Sequence, residues 1–549
     1  MTVYNPITRA ADSARETMSK SRVTSWLIGG RDGGVSHTLR QGLLAALMIM
    51  IGSWGVGWLI MAPGYWLEYH PALQPLRATA AGTITCTVLL MLGALLLLRS
   101  WLRLSQRING WNDPNGVKVM YRALLMWGTP LFLCFPIFSR DIFSYLAQGG
   151  LLYIGHNPYE AGVSELPGWF AAGADDLWAE SPSPYGPLFL LIAQGVWHVS
   201  IDMPDMAIPL FRILAVFGVV LMAVVIPRLA RAFGSQPAWA LWLCLLNPLS
   251  LMVFIPAAHN DSLMIGLMLA GAWYALQRRR LVAVLLLIAA IAIKPIAMVV
   301  LPFAVLLTPQ STAHYMYRIR EWAVAGVLAG VLLFGGGWLL GVGIGWFTAA
   351  LGAGAEVLQG APVGLLGIGV GWLVETTTGV DSSLVATWVY GAARIASAVV
   401  LTVMLLRPRM GNPLLWSAYG LTAVVLTSSV IQPWYLLWIL PLFAVVHIYR
   451  GRVLMLVILL ITVMTLAAMV GQLSVAQWLD TLLIQIIAAA VAAAYLGYLI
   501  FCDPNTTGLF RYPEKSQRWN AADGWLHIGE LSTPDRSWSA DQVYQEVRR

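Results

Sequence analysis

Apolar runs of about 20 residues recur from Gln41 to Phe501, separated by short polar stretches. Gly82–Leu98 and Val453–Val470 contain no charged residue and show no alternation. A bilayer core of about 30 Å takes roughly 20 apolar residues per helical span. Lipid offers no partner to a backbone N–H or C=O, so such runs must be helices. A barrel strand would alternate over about 10 residues instead. The pattern predicts spans near 41–62, 78–98, 122–138, 207–227, 238–256, 260–277, 322–345, 384–406, 413–431, 434–449, 452–470 and 479–501. Two stretches fit less simply. Residues 187–200 are short for a crossing, and 281–307 are long and interrupted by Lys294-Pro295.

The basic residues orient these spans, because cytoplasmic loops carry an excess of Lys and Arg. Suppose 187–200 does not cross and 281–307 is a hairpin with Lys294 near its outer tip. Then 28 of the 33 Lys and Arg residues fall inside, the exceptions being Arg77, Arg140, Arg212, Lys294 and Arg394. Two long connections, 139–186 and 346–383, face outward. The first carries Asp141, Glu160, Glu165, Asp175, Asp176 and Glu180 against Arg140 alone. Its Trp, Tyr, Phe and Pro content predicts order, with short helices lying along the membrane surface. The expected layout is a cytoplasmic tail over 1–40, a membrane domain over 41–501 and a cytoplasmic tail over 502–549.

Composition sharpens this picture. Of 549 residues, 58% are hydrophobic and 11% charged, against about 25% charged in a soluble domain. A net charge of +7 would raise nucleic-acid binding on a soluble protein. Here the bases follow the topology rule, so membrane lipids and no nucleic acid are the expected partners. Cys86, Cys134, Cys244 and Cys502 lie in or beside apolar segments without CxxC spacing, which makes them small apolar residues with no disulfide framework. The first apolar run lies behind a polar tail with six bases, later than a signal peptide would place it. The first helix is expected to be a retained anchor.

Four polar clusters reach the outer side: Arg140-Asp141, His259-Asn260-Asp261, Lys294-Pro295 and Gln432-Pro433-Trp434-Tyr435. They come from distant parts of the chain, and their convergence points to a site at the outer membrane surface. Asp141 has two readings: an interfacial partner of Arg140, or a general base that takes a proton from a hydroxyl. An ammonium inside an apolar stretch is costly. Lys294 therefore either snorkels to the interface or meets a phosphate as it leaves. Arg212 is taken as a snorkelling cation, with a phosphate contact as the alternative. Asn260 or Asp261 would suit a helix N-cap, which does not account for His259. Trp434 and Tyr435 fit an aromatic belt or a surface on which sugars stack. No His, Cys and acid set has metal-ligand spacing. There is no DxD motif and no P-loop. GVGIGW (341–346) and GIGVGW (367–372) are explained by close packing of small residues.

In this order the features resemble the GT-C glycosyltransferases that use lipid-phosphate sugars. More narrowly they resemble the polyprenol-phosphate-mannose-dependent α-1,6-mannosyltransferases of lipomannan biosynthesis, the MptA/MptB family. The resembling stretches are SRDIFSYLAQGGLLYIGHNPYEAG (139–162), SPYGPLFLL (183–191), PAAHNDSLMIGLMLAG (256–271), AIKPIAMVVLP (292–302) and QPWYLLWILPL (432–442). The resemblance implies an all-α GT-C fold of about 13–15 transmembrane helices in the plasma membrane, with an external active site. It implies a polyprenyl-phosphate-mannose donor, a glycolipid mannan acceptor of the lipomannan type, inversion at the anomeric carbon, and Asp141 as catalytic base. Lys294, Arg140 and His259 would meet the donor phosphate. Tyr145, Gln148, Asn157, Tyr159, Tyr185, Asn260, Asp261, Gln432, Trp434 and Tyr435 would contact the substrates. A lipid-phosphate leaving group makes a divalent metal optional, and no cofactor is expected. The family often places a second acid soon after the first, whereas here the next downstream carboxylate is Glu160.

A transporter or flippase for a lipid-linked sugar is the main rival reading. It would show related halves and polar groups at the midplane; no such repeat is visible. An envelope ligase acting on a lipid diphosphate carrier is the other rival. The topology predicts that cysteines introduced into 139–186 and 346–383 react with a membrane-impermeant thiol reagent in intact cells. Labelling of the Arg278–Arg280 loop instead would overturn the hairpin at Lys294.

Overall fold

The computed structural model describes residues 34–61, 67–107, 114–201, 203–307, 315–352, 361–407, 411–447, 451–472, 481–503 and 505–506. Among these every regular element is helical, and the chain is an all-α polytopic membrane protein. Apart from the single turn Gln74–Arg77, the helices are α1 (Val35–Val56), α2 (Ala80–Ser105), α3 (Pro114–Phe132), α4 (Asp141–Tyr153), α5 (Pro187–Ser200), α6 (Ala207–Ala232), α7 (Pro237–Cys244) and α8 (Pro248–Phe254). They continue with α9 (Asp261–Leu276), α10 (Arg280–Ile293), α11 (Leu301–Ala304), α12 (Tyr315–Leu339), α13 (Gly345–Gly352) and α14 (Pro362–Thr378). The last five are α15 (Ser382–Leu406), α16 (Pro413–Leu426), α17 (Tyr435–Ala444), α18 (Gly451–Gln472) and α19 (Thr481–Phe501).

Six segments among the described residues are long and apolar enough to cross a bilayer on their own: α1, α2, Pro204–Ala232, α12, α15 and Val453–Val470. A seventh is the pair α7–α8, bent by 60°. Seven further apolar stretches of helix among the described residues have 10–17 residues, and the expected 13–15 spans require counting these shorter ones. Their shortness has a cause. Proline stands at the first or second position of α5, α7, α8, α14 and α16, where its missing N–H costs nothing. Breaks between these helices release backbone into protein-lined space, the one place in a membrane where irregular chain is tolerated.

The two ends of the bundle differ in chemistry. At one end Arg99 donates to the buried Asp503 carboxylate (2.6 Å) and, with Arg103, to Gln41. Trp101 and Trp242 stack there, each indole N–H donating to the other's carbonyl. Arg318 meets the Arg407 carbonyl, and Arg280 pairs with Glu321. At the other end lie Gly57 of α1's terminus, the start of α2, Asp141 and Gln432–Trp434, around one cavity. Helix α9 starts and helix α10 stops at this second end.

Several expectations are revised. Asp141 does not open a loop; it begins α4, whose side chains from Ile142 to Leu152 are buried. The irregular part of the first connection is 154–186, with single 3-10 turns at Val163–Glu165 and Asp176–Trp178. The second connection contains α14, which packs on α15 with Leu366, Trp372, Trp388 and Ile395 exposed. The apolar stretch 281–307, by contrast, breaks at Lys294 as the hairpin reading expects, and α11 packs back on α10. Most of the two tails lies outside the described residues.

Arg212 does not snorkel. It is 4% exposed and turns inward. Its guanidinium donates to the carbonyls of Phe132 (2.9 Å), Cys134 (2.7 Å), Ile255 (3.1 Å) and Pro256 (2.8 Å). These are carbonyls that helix ends leave without intrahelical partners. Substituting Arg212→Met should strand them and cost at least ~3 kcal/mol. The readout is a lower melting temperature of the detergent-solubilised protein; an unchanged value would show that the clamp is dispensable.

Candidate active site

The site is built where helices break. The segment after α3 turns through Phe138 and enters α4 at Asp141. The segment after α8 turns through Ala258 and enters α9 at Asp261. Phe138 and Ala258 have φ of 70° and 53°, a left-handed conformation that non-glycine residues rarely adopt and that clusters at functional sites. Arg212 holds both segments from behind. Gly218 of α6 lets α9 approach, since a Cβ there would stand 2.3 Å from the Leu263 nitrogen. Gly186 docks the start of α5 on the end of α10: its N–H donates to the Ile293 carbonyl (3.0 Å), beside Lys294.

These contacts place four chain segments together. The Asp261 carboxylate is fully buried and accepts from Lys294 Nζ (2.8 and 3.0 Å) and from the Trp438 indole N–H. His259 Nδ1 lies 3.2 Å from Asp261 Oδ2 and 3.5 Å from Asp141 Oδ2. Tyr185 donates to Asp141 Oδ2 (3.3 Å). The His259 ring rests on Trp434, with centroids 4.4 Å apart. Side-chain exposure separates the roles: Asp141 is 19% and Lys294 12% exposed, while His259 and Asp261 are closed off. Asp141 and Lys294 are the two charged groups of the network that an incoming molecule can touch.

The expected site residues fall into groups. Arg140 does not pair with Asp141. Its Nε donates to the Gly173 carbonyl (2.8 Å), and its guanidinium lies over Phe170. Asn260 stands at the N-cap position of α9 without a side-chain capping bond, so capping does not account for it. Tyr145, whose hydroxyl accepts from the Asn260 N–H, is buried against Tyr185, Phe189 and Phe211. Gln148 accepts from Ser183, and the Tyr159 hydroxyl donates to the Tyr185 carbonyl. Asn157 closes a local turn with Glu160 and Tyr159. Tyr435 stacks on Trp438. Gln432 and Trp434 line a cavity of about 680 Å³ together with Asp141. Of the glycine repeats, Gly345 packs on Tyr159, Gly367 on Tyr390 and Gly371 on Ser382, whereas Gly341, Gly343 and Gly369 face open space, so close packing accounts for half of these glycines.

The model of the alpha-(1->6)-mannopyranosyltransferase N-terminal domain matches residues 39–310, and that of the MptB C-terminal domain matches 361–498. Over 413 residues the chain is 30% identical to a probable alpha-(1->6)-mannopyranosyltransferase of Mycolicibacterium smegmatis, covering 67% of this chain and 71% of that protein. The chain belongs to the MptA/MptB family. Alpha-(1->6)-mannopyranosyltransferase A of Mycobacterium tuberculosis is 31% identical over 334 residues, which are 59% of this chain and 62% of that one. The protein of the same name in Corynebacterium glutamicum is 34% identical over 264 residues, 47% and 53% of the two lengths. These two matches therefore span less than two thirds of the relatives' length. Asp141, His259, Asp261 and Lys294 lie in the part matched by the N-terminal family model. Trp434 and Trp438 come from the part matched by the C-terminal one, so both parts build the site.

Some members of the site had no signal strong enough in the sequence. Trp438 stands three positions after Tyr435, the spacing of neighbours on one helix face, yet a Trp in an apolar helix is unremarked. Glu68 and Arg77 pair at 2.9 Å on the cavity wall, from a connection that looked incidental. Asp175 and Asp176 were visible only as loop charge. Burial raises the Asp175 carboxyl above its ordinary range, while the Leu177 N–H and Arg140 pull the other way.

Removing one partner of a buried ion pair costs roughly 3–5 kcal/mol, because the other charge is left uncompensated. Asp261→Leu should therefore sharply lower the melting temperature, and adding Lys294→Met should recover part of the loss. Strictly additive losses in the double variant would show that the two charges are not coupled.

Proposed function

We propose that the chain is a GT-C enzyme that transfers mannose from polyprenyl-phosphate-mannose to a growing α-1,6-mannan acceptor of the lipomannan type. The reaction proceeds with inversion at the outer face of the plasma membrane. The observation that carries this reading is the position of Asp141: a partly open carboxylate between a wide cavity and the Lys294–Asp261 pair. The distribution of charge supports the outer side. The site lies at the end opposite Arg99, Arg103 and Arg280, and excess cations mark the cytoplasmic side.

Each step maps onto a group of this chain. An acceptor hydroxyl gives its proton to Asp141 as its oxygen attacks the anomeric carbon. The bond from that carbon to the phosphate oxygen breaks, and the electron pair leaves with the lipid phosphate. An ammonium has three donors. Asp261 takes two from Lys294 and leaves one for the phosphate, whose growing charge is best met by a fixed, desolvated cation. Tyr185 and His259 hold the Asp141 carboxylate in place. The carboxylate returns its proton to solvent through the cavity.

Asp141→Asn keeps the shape and can still accept from Tyr185, but it cannot take the proton. General-base catalysis contributes about 10²–10⁴-fold. Transfer from radiolabelled polyprenyl-phosphate-mannose on membranes should fall by that factor, with donor binding largely retained. Transfer within a few-fold of wild type in a folded variant would assign the base elsewhere, Glu160 and Asp261 being the next carboxylates to test.

A further inference from the structure

The cavity beside Asp141 differs in charge from the Lys294 side of the site. Its lining includes four carboxylates, Asp141, Glu68, Asp175 and Asp176, and two cations, Arg77 and Arg140. Both cations are engaged. Arg77 donates to Glu68 and to the carbonyls of Trp54 and Gly57 at the end of α1. Arg140 donates to the Gly173 carbonyl. Four carboxylates against two cations leave the lining with an excess of negative charge, and a phosphate would meet repulsion there. Among the described residues, Lys294, Asp261 and Tyr185 are not on its walls.

The same walls carry flat aromatic surface, from Trp58, Phe170, Trp178 and Trp434. Carboxylates accept hydrogen bonds from vicinal hydroxyls, and aromatic faces cover the C–H faces of sugar rings. The volume of about 680 Å³ lies within the ~300–1,000 Å³ of small-molecule sites, room for a few sugar rings. Asp176 and Phe170 are exposed, so a chain longer than the cavity can continue outward over the 154–186 connection.

We propose that this cavity binds the end of a neutral carbohydrate chain, presenting its terminal hydroxyl to Asp141, and that its acidic walls reject chains bearing an anionic group near that end. The phosphate-bearing donor then approaches Asp141 from the opposite side, along Lys294. This assignment rests on the transferase reading above and adds to it which face takes which substrate, and the basis of acceptor selectivity. Asp175, Asp176 and Trp178 become specificity residues of the acceptor side.

The test is binding of an α-1,6-linked mannose trisaccharide to the full chain in nanodiscs, followed by saturation-transfer NMR. The same trisaccharide phosphorylated on its terminal ring is the comparison. The neutral sugar should bind saturably and the phosphorylated one at least tenfold more weakly. Asp175→Asn/Asp176→Asn should narrow that difference, and Trp178→Ala should weaken the neutral sugar about tenfold. Melting temperatures of both variants establish that they fold. In the transfer assay, Trp178→Ala should raise the acceptor KM and leave the donor KM unchanged. Equal binding of the two sugars, no saturable binding, or a wild-type acceptor KM in a folded Trp178→Ala protein would overturn the cavity assignment. Normal, selective sugar binding with no transfer from polyprenyl-phosphate-mannose would instead sink the transferase reading and leave the cavity's selectivity standing.

Discussion

One buried guanidinium holds the two acid-bearing stretches of this protein in register. A cation deep in an apolar bundle needs compensation for its lost hydration, and Arg212 has four backbone carbonyls around it instead of a carboxylate. Those carbonyls belong to the ends of α3 and α8, where the helix breaks leave them unpaired. The two problems solve each other. Without the breaks Asp141 and His259 would sit inside continuous helices and point to different neighbours. Without the guanidinium the breaks would leave bare carbonyls in an apolar interior.

From that clamp the rest of the site follows by short steps. Phe138 and Ala258 turn the freed chain through left-handed conformations. Asp141 and Asp261 then start α4 and α9, so each carboxylate stands at the positive end of a helix dipole. Asp261 is sealed and serves as counter-charge to Lys294, while His259 and the Trp438 indole N–H also converge on it. Asp141 keeps an open side. Two carboxylates of the same chemistry thereby differ in access: Asp261 is closed off with its partners, and Asp141 keeps a face open.

The division of charge around Asp141 gives the proposed reaction its direction. On one flank Lys294 offers a cation steadied by Asp261. On the other, acidic and aromatic walls offer hydroxyl acceptors and flat apolar surface. A phosphate and a neutral polyol would sort themselves between these flanks by electrostatics before any specific contact forms. The outer helices contribute little to this sorting. Helices α14 and α15 expose Trp372, Trp388 and Ile395 and suit contact with lipid tails.

What the sequence by itself determined is the part governed by the solvent. Apolar runs free of charge can only be helices in lipid, and the bias of Lys and Arg sorts their ends. A lone ammonium such as Lys294 in such a run also declares itself, because its cost demands a partner. Motif order added the family. Partner choice is another matter, since it depends on which side chains three-dimensional packing brings within about 3 Å. Adjacent in sequence, Arg140 and Asp141 looked like a pair, yet the turn into α4 sends one to Gly173 and the other to Tyr185 and His259. Arg212 looked like a surface cation, yet it holds the interior together. Asn260 looked like a cap but makes no capping bond, and Asp141 proved to be the first residue of one of the helices expected in the 139–186 connection. Trp438, Glu68 and the Asp175–Trp178 turn entered the site only through contacts between segments tens to hundreds of residues apart. Hydrophobicity is a property of each residue and its neighbours in the chain, whereas a charge network is a property of distances that only the folded bundle sets.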